Sequence, residues 1–330
     1  MEKGLITMPN HNENFDKAMA KLHDMGIETT WEKEKIRSSK DPQVVIPFVK
    51  DCDYVFAGGE IWNKEVFDAC PNLKLLVRLG VGHDAIDLKA ATEAGVPVTF
   101  MPGVNAGSVA ELAVTLMLTV SRGVAAMNSR IHAGNRPAAI FTTHSLTGKT
   151  VGIMGCGKIG KNVAKLVQAF GCKVLAYDVY PDPEFAAQYR VTYVDTETLL
   201  KESDIISLHL PLLPETKHFV NAESIAKMKD GVIIINTSRG GTVDSKALSD
   251  AIRSGKVAGA GLDVVEDEDG GNKSAGEVFY DLDNVVLTPH VGGVSFECLE
   301  ELMEHGVEMV QQLKNGEPVK WLLNPEVFNK

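Results

Sequence analysis

The run VGIMGCGKIG, residues 151–160, spaces three glycines as G-x-G-x-x-G, and an acid, Asp178, follows eighteen residues after the last of them. Lacking a side chain, Gly155 permits a tight turn, Gly157 lets a phosphate approach the backbone, and Gly160 lets a helix pack closely on a strand. A helix opening at Lys158 and Ile159 points N–H groups and the positive end of its dipole at that phosphate. A carboxylate at Asp178 suits the hydroxyls of an adenosine ribose and repels a 2′-phosphate, which favours NAD over NADP. The spacing alone is weak, but the apolar TVGIM precedes it and the helical KNVAKLVQAFG follows, as a strand-turn-helix fingerprint requires.

Four further apolar runs end in polar or ionisable residues. DIISLHLPL ends at His209 and Pro211, GVIIINTSRGG at Thr237 and Arg239, VAGAGLDVVEDED at Asp263 and Glu268, and NVVLTPHVGG at His290. Ligands of an open parallel sheet sit at the carboxyl ends of its strands, so these residues share one rim. Singly, each has a plainer reading as a surface ion pair, a cap or a packed histidine. Together, an arginine, a carboxylate and a histidine are the parts needed to bind a carboxylate-bearing substrate and move a proton beside a nicotinamide.

The elements that must carry these residues are short apolar runs alternating with helical stretches, the pattern of parallel sheets with crossover helices. A first series, GLIT, QVVIPFV, DYVFAG, KLLVRLG and PVTFM, is expected to form strands in the N-terminal third; a second, of six strands, begins at TVGIM. From Asn105 to Met127 one long Ala-rich helix is expected, with Ser108 and Glu111 in capping-box spacing, and it reads as a linker or interface helix. FECLEELMEHGVEMVQQLKNG is a final helix ending at Gly316. The expected fold is α/β, with two doubly wound parallel-sheet domains, Rossmann-like and flavodoxin-like, and a ligand cleft between them. Residues 1–101 plus 291–330 make the substrate-binding domain and 102–290 the NAD-binding domain.

A chain of 330 residues exceeds the usual single core, which agrees with two domains. The net charge of −11 and the lack of a basic cluster argue against nucleic acid and anionic membrane surfaces as partners. Five scattered cysteines without a metal-ligand spacing suit a reducing compartment, and no signal-like or eighteen-residue apolar segment appears, so a cytoplasmic location is expected and no metal.

The ordered segments LKLLVRLGVGHDAIDLKAA, VNAGSVAELAVTLML, LTGKTVGIMGCGKIG, INTSRGGTVDSKAL, GAGLDVVEDED and LTPHVGG resemble the D-isomer-specific 2-hydroxyacid dehydrogenases, a family that includes phosphoglycerate, hydroxypyruvate and D-lactate dehydrogenases. The resemblance implies NAD-dependent hydride transfer to and from the C2 carbonyl of a small 2-oxo acid. It makes Arg239 the ligand of the substrate carboxylate and carbonyl, His290 the proton donor and Glu268 its orienting acid. It also implies that backbone N–H groups at Val81 and Gly82 meet the substrate carboxylate, that Asp263 reaches the nicotinamide carboxamide, that Thr237 borders the cofactor, and that the protein is a homodimer. Glu266 is a rival to Glu268. Phosphoglycerate-specific relatives carry an arginine where this chain reads Ala57 and Gly58, leaving Arg78 as the available cation. The same fold also serves in dinucleotide-sensing corepressor-like binding modules, which is the alternative reading.

Overall fold

The computed structural model describes residues 1–8, 12–32, 36, 39–135, 143–268, 272 and 274–329. Residues 136–142, 269–271 and 273 are among those that lie outside the described residues. The rest divides into two compact units, residues 1–105 with 293–329 and residues 106–268 with 274–292.

The first unit opens with β1 (Glu2–Ile6), α1 (Glu13–Asp24), β2 (Ile27–Trp31), α2 (Pro42–Val49), β3 (Tyr54–Ala57), α3 (Lys64–Asp68), β4 (Leu75–Arg78), α4 (Leu88–Ala94) and β5 (Val98–Thr99). Its five strands pair in parallel in the order β2-β1-β3-β4-β5. QVVIPFV, read as a strand, is instead the helix α2. A short apolar run does not distinguish strand from buried helix, and what decides here is the cap: Asp41 accepts the N–H of Gln43, and Pro42 occupies the first turn, where its missing N–H costs nothing. The alternating IETTW escaped notice as a strand and forms the edge strand β2.

The second unit runs α5 (Ala106–Ser121), α6 (Val124–His132), β6 (Thr150–Met154), α7 (Lys158–Ala169), β7 (Lys173–Tyr177), α8 (Pro183–Tyr189), β8 (Val191–Tyr193), α9 (Thr196–Glu202), β9 (Ile205–Leu208), α10 (Ala222–Lys227), β10 (Val232–Asn236), α11 (Ser245–Arg253), β11 (Val257–Leu262) and β12 (Val285–Leu287). Its seven strands, one more than expected because the short VTY adds β8, pair in parallel in the order β12-β11-β10-β9-β6-β7-β8. The order reverses between β6 and β9, the switch point at which a doubly wound sheet binds its ligand. Both units are therefore doubly wound α/β sheets.

The long helix expected from Asn105 to Met127 is two helices bent by 66°. Gly123 breaks it, in the left-handed conformation at φ +59. The capping box is absent too, because the helix begins at Ala106 and Ser108 lies inside its first turn, donating to the carbonyl of Gly292 at 2.7 Å. One face of α5, including Ala110, Ala113, Leu116 and Met117, is buried in the core of the second unit, whereas α6 buries no residue. No single described helix is long and apolar enough to cross a membrane.

The chain then returns to the first unit through α12 (Phe296–Asn315), capped by Ser295 and stopped by Gly316 at φ +70, as its sequence indicates. Leu299, Leu302, Met303, Val307 and Val310 cover the sheet face made by Ile6, Phe56, Leu75 and Val77. Gly306 permits this contact: a Cβ there would lie 3.0 Å from the ring of Phe56. The tail continues along β5, with the N–H of Leu323 donating to Val98 and the buried Asn324 bonding Val96 and Val98.

Candidate active site

In the second unit the glycine turn joins β6 to α7. Gly155 sits at φ +89, and a Cβ there would come within 2.7 Å of the carbonyl oxygen of His209, just after neighbouring β9, so both backbone and space demand glycine. Gly160 is as constrained, since a Cβ would lie 2.2 Å from the carbonyl oxygen of Gly155. Gly157 differs. As the residue before α7 it has nothing within 4 Å of a Cβ position, which leaves open space at the helix N-terminus where Lys158 and Ile159 begin the first turn. Asp178 follows β7, and its carboxylate accepts the N–H of Cys156 at 2.7 Å and of Tyr180 at 2.9 Å. The acid is thus built into the glycine turn.

The buried polar atoms without a hydrogen-bond partner among the described residues include Nδ1 of His209 after β9 and Oγ1 of Thr237 after β10. Unpaired buried polar atoms are costly and uncommon in folded proteins. Their place beside the switch point, with an open helix N-terminus and a carboxylate on the next strand, fits a dinucleotide. His209 donates or accepts through Nε2 with Ser207 at 2.9 Å, and burial pushes its imidazole down to about 3. It is therefore neutral at working pH and unsuited to giving up a proton. Pro211 follows on the exposed loop, its carbonyl accepting the hydroxyl of Thr216.

The last strand delivers a different histidine. His290 holds φ +55, a left-handed conformation that costs energy for a residue with a Cβ and persists only where the surroundings impose it. Asp263, at the end of β11 and only 2 % exposed, imposes it. Its Oδ1 accepts the hydroxyl of Thr288 at 2.6 Å and the N–H of Val291 at 2.9 Å, its Oδ2 accepts the N–H of Gly292 at 2.8 Å, and its carbonyl accepts the N–H of His290 at 2.9 Å. One aspartate thus clamps the whole TPHVGG turn. A carboxylate has about four acceptor positions, so one remains on Oδ2.

Glu268 pairs with His290, Oε1 to Nδ1 at 2.8 Å, while its Oε2 accepts the N–H of Val265 at 2.8 Å. The His290 side chain is 56 % exposed, and the pairing at Nδ1 leaves Nε2 as the nitrogen that can meet a ligand. The rival Glu266 is engaged elsewhere, with Nε2 of His218 at 2.5 Å. Arg239 stands after β10 in a loop built on Asn236, which is fully buried. The Asn236 amide donates to the carbonyl of Arg239 at 3.0 Å and accepts from the N–H and hydroxyl of Ser238, and the Arg239 guanidinium donates to the carbonyl of Ser238.

In the first unit, Arg78 at the end of β4 is turned onto backbone carbonyls, donating to Gly82 at 2.6 Å, Leu79 at 2.6 Å and Ala57 at 3.4 Å. It braces the loop that holds Val81 and Gly82, whose N–H groups donate in no hydrogen bond among the described residues. Behind that loop Glu60 is buried, accepting from Thr7 at 2.8 Å and Trp62 at 3.2 Å through Oε1, while Oε2 lacks a partner. Burial pushes its carboxyl above the usual carboxylate range.

Sequence reasoning missed Asn236, Glu60 and His218, and gave Asp263 no part in holding the His290 turn. Asn236 left a trace, as the polar residue that closes an otherwise apolar strand. The others depend on partners distant in the chain.

Residues 114–292 match the family model described as D-isomer specific 2-hydroxyacid dehydrogenase, NAD binding domain. The chain is 45 % identical over 250 residues to a hydroxypyruvate reductase of Thermotoga maritima, covering 76 % of this chain and 79 % of that protein. It is 38 % identical over 312 residues to a glyoxylate reductase of Thermococcus litoralis, covering 92 % and 93 %. In three dimensions it matches the crystal structure of a D-lactate dehydrogenase from Aquifex aeolicus complexed with NAD and lactic acid, with a TM-score of 0.80 at 32 % identity over 95 % of this chain and 96 % of that one.

Proposed function

Because this chain belongs to the D-isomer-specific 2-hydroxyacid dehydrogenase family, we propose that it reduces a small, unphosphorylated 2-oxo acid of the hydroxypyruvate or glyoxylate type. It is an NAD-dependent oxidoreductase. The observation that carries the catalytic reading is the ion pair of Glu268 with Nδ1 of His290, which leaves Nε2 for the substrate.

Gly155, Gly157 and Gly160, with the N–H groups at Lys158 and Ile159, hold the pyrophosphate of the dinucleotide, and Asp178 holds its adenosine ribose. His209, Pro211, Thr237 and the remaining acceptor of Asp263 border its nicotinamide half. When bound, the reduced nicotinamide supplies hydride to the C2 carbonyl. Arg239 forks onto the substrate carboxylate and carbonyl, where negative charge grows. The N–H groups of Val81 and Gly82 take the carboxylate as well. His290 gives its Nε2 proton to the oxygen as it becomes an alkoxide, and Glu268 holds the ring in place and balances the imidazolium. In the reverse direction His290 takes that proton back.

The lack of a cation at Ala57 and Gly58, and the turning of Arg78 onto its own loop, support a substrate without phosphate. A dinucleotide-sensing binding module is not favoured, since the relatives bear the names of enzymes. Residues 1–101 with 291–330 serve the substrate, and 102–290 the cofactor. The buried thiols, none of them in a disulfide, support a cytoplasmic location. Val124 and Ile131, about half exposed on α6, support a homodimer. Neither nucleic acid nor membrane is a partner in this reading.

NADH consumption should be followed with glyoxylate, hydroxypyruvate, pyruvate and phosphohydroxypyruvate. The first two should be turned over best, and His290→Ala should lower kcat on the order of 10²–10⁴-fold while NADH still binds. An enzyme that binds NADH but reduces none of the four would sink the reading.

A further inference from the structure

Two residues before Glu268, a second histidine-carboxylate pair stands beside the first. His218 lies in the long loop after β9 and holds φ +49, another left-handed residue with a Cβ. Three of its groups are engaged. Its N–H donates to the carbonyl of Gly241 at 2.9 Å, its carbonyl accepts the amide of Asn221 at 2.8 Å, and its Nε2 meets Oε1 of Glu266 at 2.5 Å. Glu266 in turn accepts the N–H of Ser245, the first residue of α11, at 3.4 Å.

Gly241 belongs to the turn that follows Arg239, and Glu266 belongs to the turn that carries Glu268. These two turns meet backbone against backbone: a Cβ on Gly240 would lie 2.0 Å from the carbonyl oxygen of Val265. His218 therefore grips both sides of that seam, by main chain on one side and side chain on the other. The side chains of the pair are 36 % and 29 % exposed, and ion pairs so open to water add little to stability. What the pair supplies is geometry.

We propose that His218 is a positioning residue, tying the turn of Arg239 to the turn of Glu268 and so fixing where the carboxylate anchor stands relative to the proton-transfer pair. The proposal rests on the roles given above to Arg239, Glu268 and His290. Misplacing a catalytic group by about 1 Å can cost on the order of a hundredfold in rate, so a brace remote from the substrate can still govern turnover.

His218→Ala should lower kcat roughly 10- to 100-fold and raise KM for the 2-oxo acid, with NADH affinity within about twofold of the unmodified enzyme. His218→Gln, which can still donate to Glu266, should recover most of the loss. The double variant His218→Ala/Glu266→Ala should lose no more than Glu266→Ala alone, which already cuts the bond to His218 along with that to Ser245. If His218→Ala does not fold, Glu266→Ala severs the pair without touching the left-handed residue and carries the same expectations. Amide hydrogen exchange gives a reading independent of turnover: it should quicken in both 239–243 and 264–268. Kinetic constants within about twofold of the unmodified enzyme, or a loss that His218→Gln does not reverse, or unchanged exchange in either turn, overturns the brace. An unmodified enzyme inactive on every 2-oxo acid would overturn the function instead, and exchange would still decide the brace.

Discussion

Asp178 carries two duties with one carboxylate. Its bonds to the N–H groups of Cys156 and Tyr180 fix the glycine turn, and its remaining lone pairs and its charge face the ribose in the proposed site. Asp178→Ala removes the repulsion of a 2′-phosphate and loosens the turn, so efficiency with NADH should fall roughly tenfold or more, in line with the loss of hydrogen bonds to a charged group, while efficiency with NADPH falls less. Equal efficiency with both cofactors in the unmodified enzyme would contradict this. The residue types of the site were readable in the chain, because glycine spacing and strand-end polarity are local features. The choice between Glu266 and Glu268 was not, because it turns on which histidine each one meets, and His218 and His290 are brought there by different strands. The strand-end histidines could not be ranked either. Only burial shows that His209 stays neutral and that His290 is the one exposed and paired.

At the scale of elements, the parallel strands were legible wherever a run was apolar and closed by glycine, proline or a polar residue. Reading failed at α2, where the cap outweighed the apolar run, and at β2 and β8, which are short or half exposed. The loop after β3 holds a consequence for stability. Buried Glu60 keeps its proton to higher pH when folded than when unfolded, where its carboxyl titrates near the ordinary 4.5. Above that pH the unfolded chain binds fewer protons than the folded one, so stability contributed by this group is whole below about 4.5 and is lost as pH rises through the folded value. Glu60→Gln has no such proton to lose and keeps an acceptor for Thr7 and Trp62. It should therefore melt a few degrees higher than the unmodified protein at pH 8, at roughly 2–4 °C for each kcal/mol, with the difference closing by pH 4. Equal melting curves at pH 8 would show that Glu60 is ionised at no cost.

For the whole molecule, two doubly wound sheets were legible from the order of the runs, since a second series of strands begins afresh at TVGIM. The break at Gly123 was not, because a glycine inside an apolar helical run is compatible with either a continuous helix or a bend. Its outcome bears on assembly. With α5 buried in its own unit, the homodimer proposed above would use the exposed α6, and light scattering at micromolar concentration should give about twice 35.7 kDa. A value near 35.7 kDa would count against the dimer. The return of α12 to the first sheet has a cost of another kind. Residues 106–292 must all leave the ribosome before α12 exists, which at ordinary rates of synthesis takes roughly ten to forty seconds. For that interval Ile6, Phe56, Leu75 and Val77 have only Phe15, Ala18 and Leu22 of α1 on their side of the sheet, and the part that α12 will cover is an oily face open to every chaperone and every other unfinished chain the nascent protein meets.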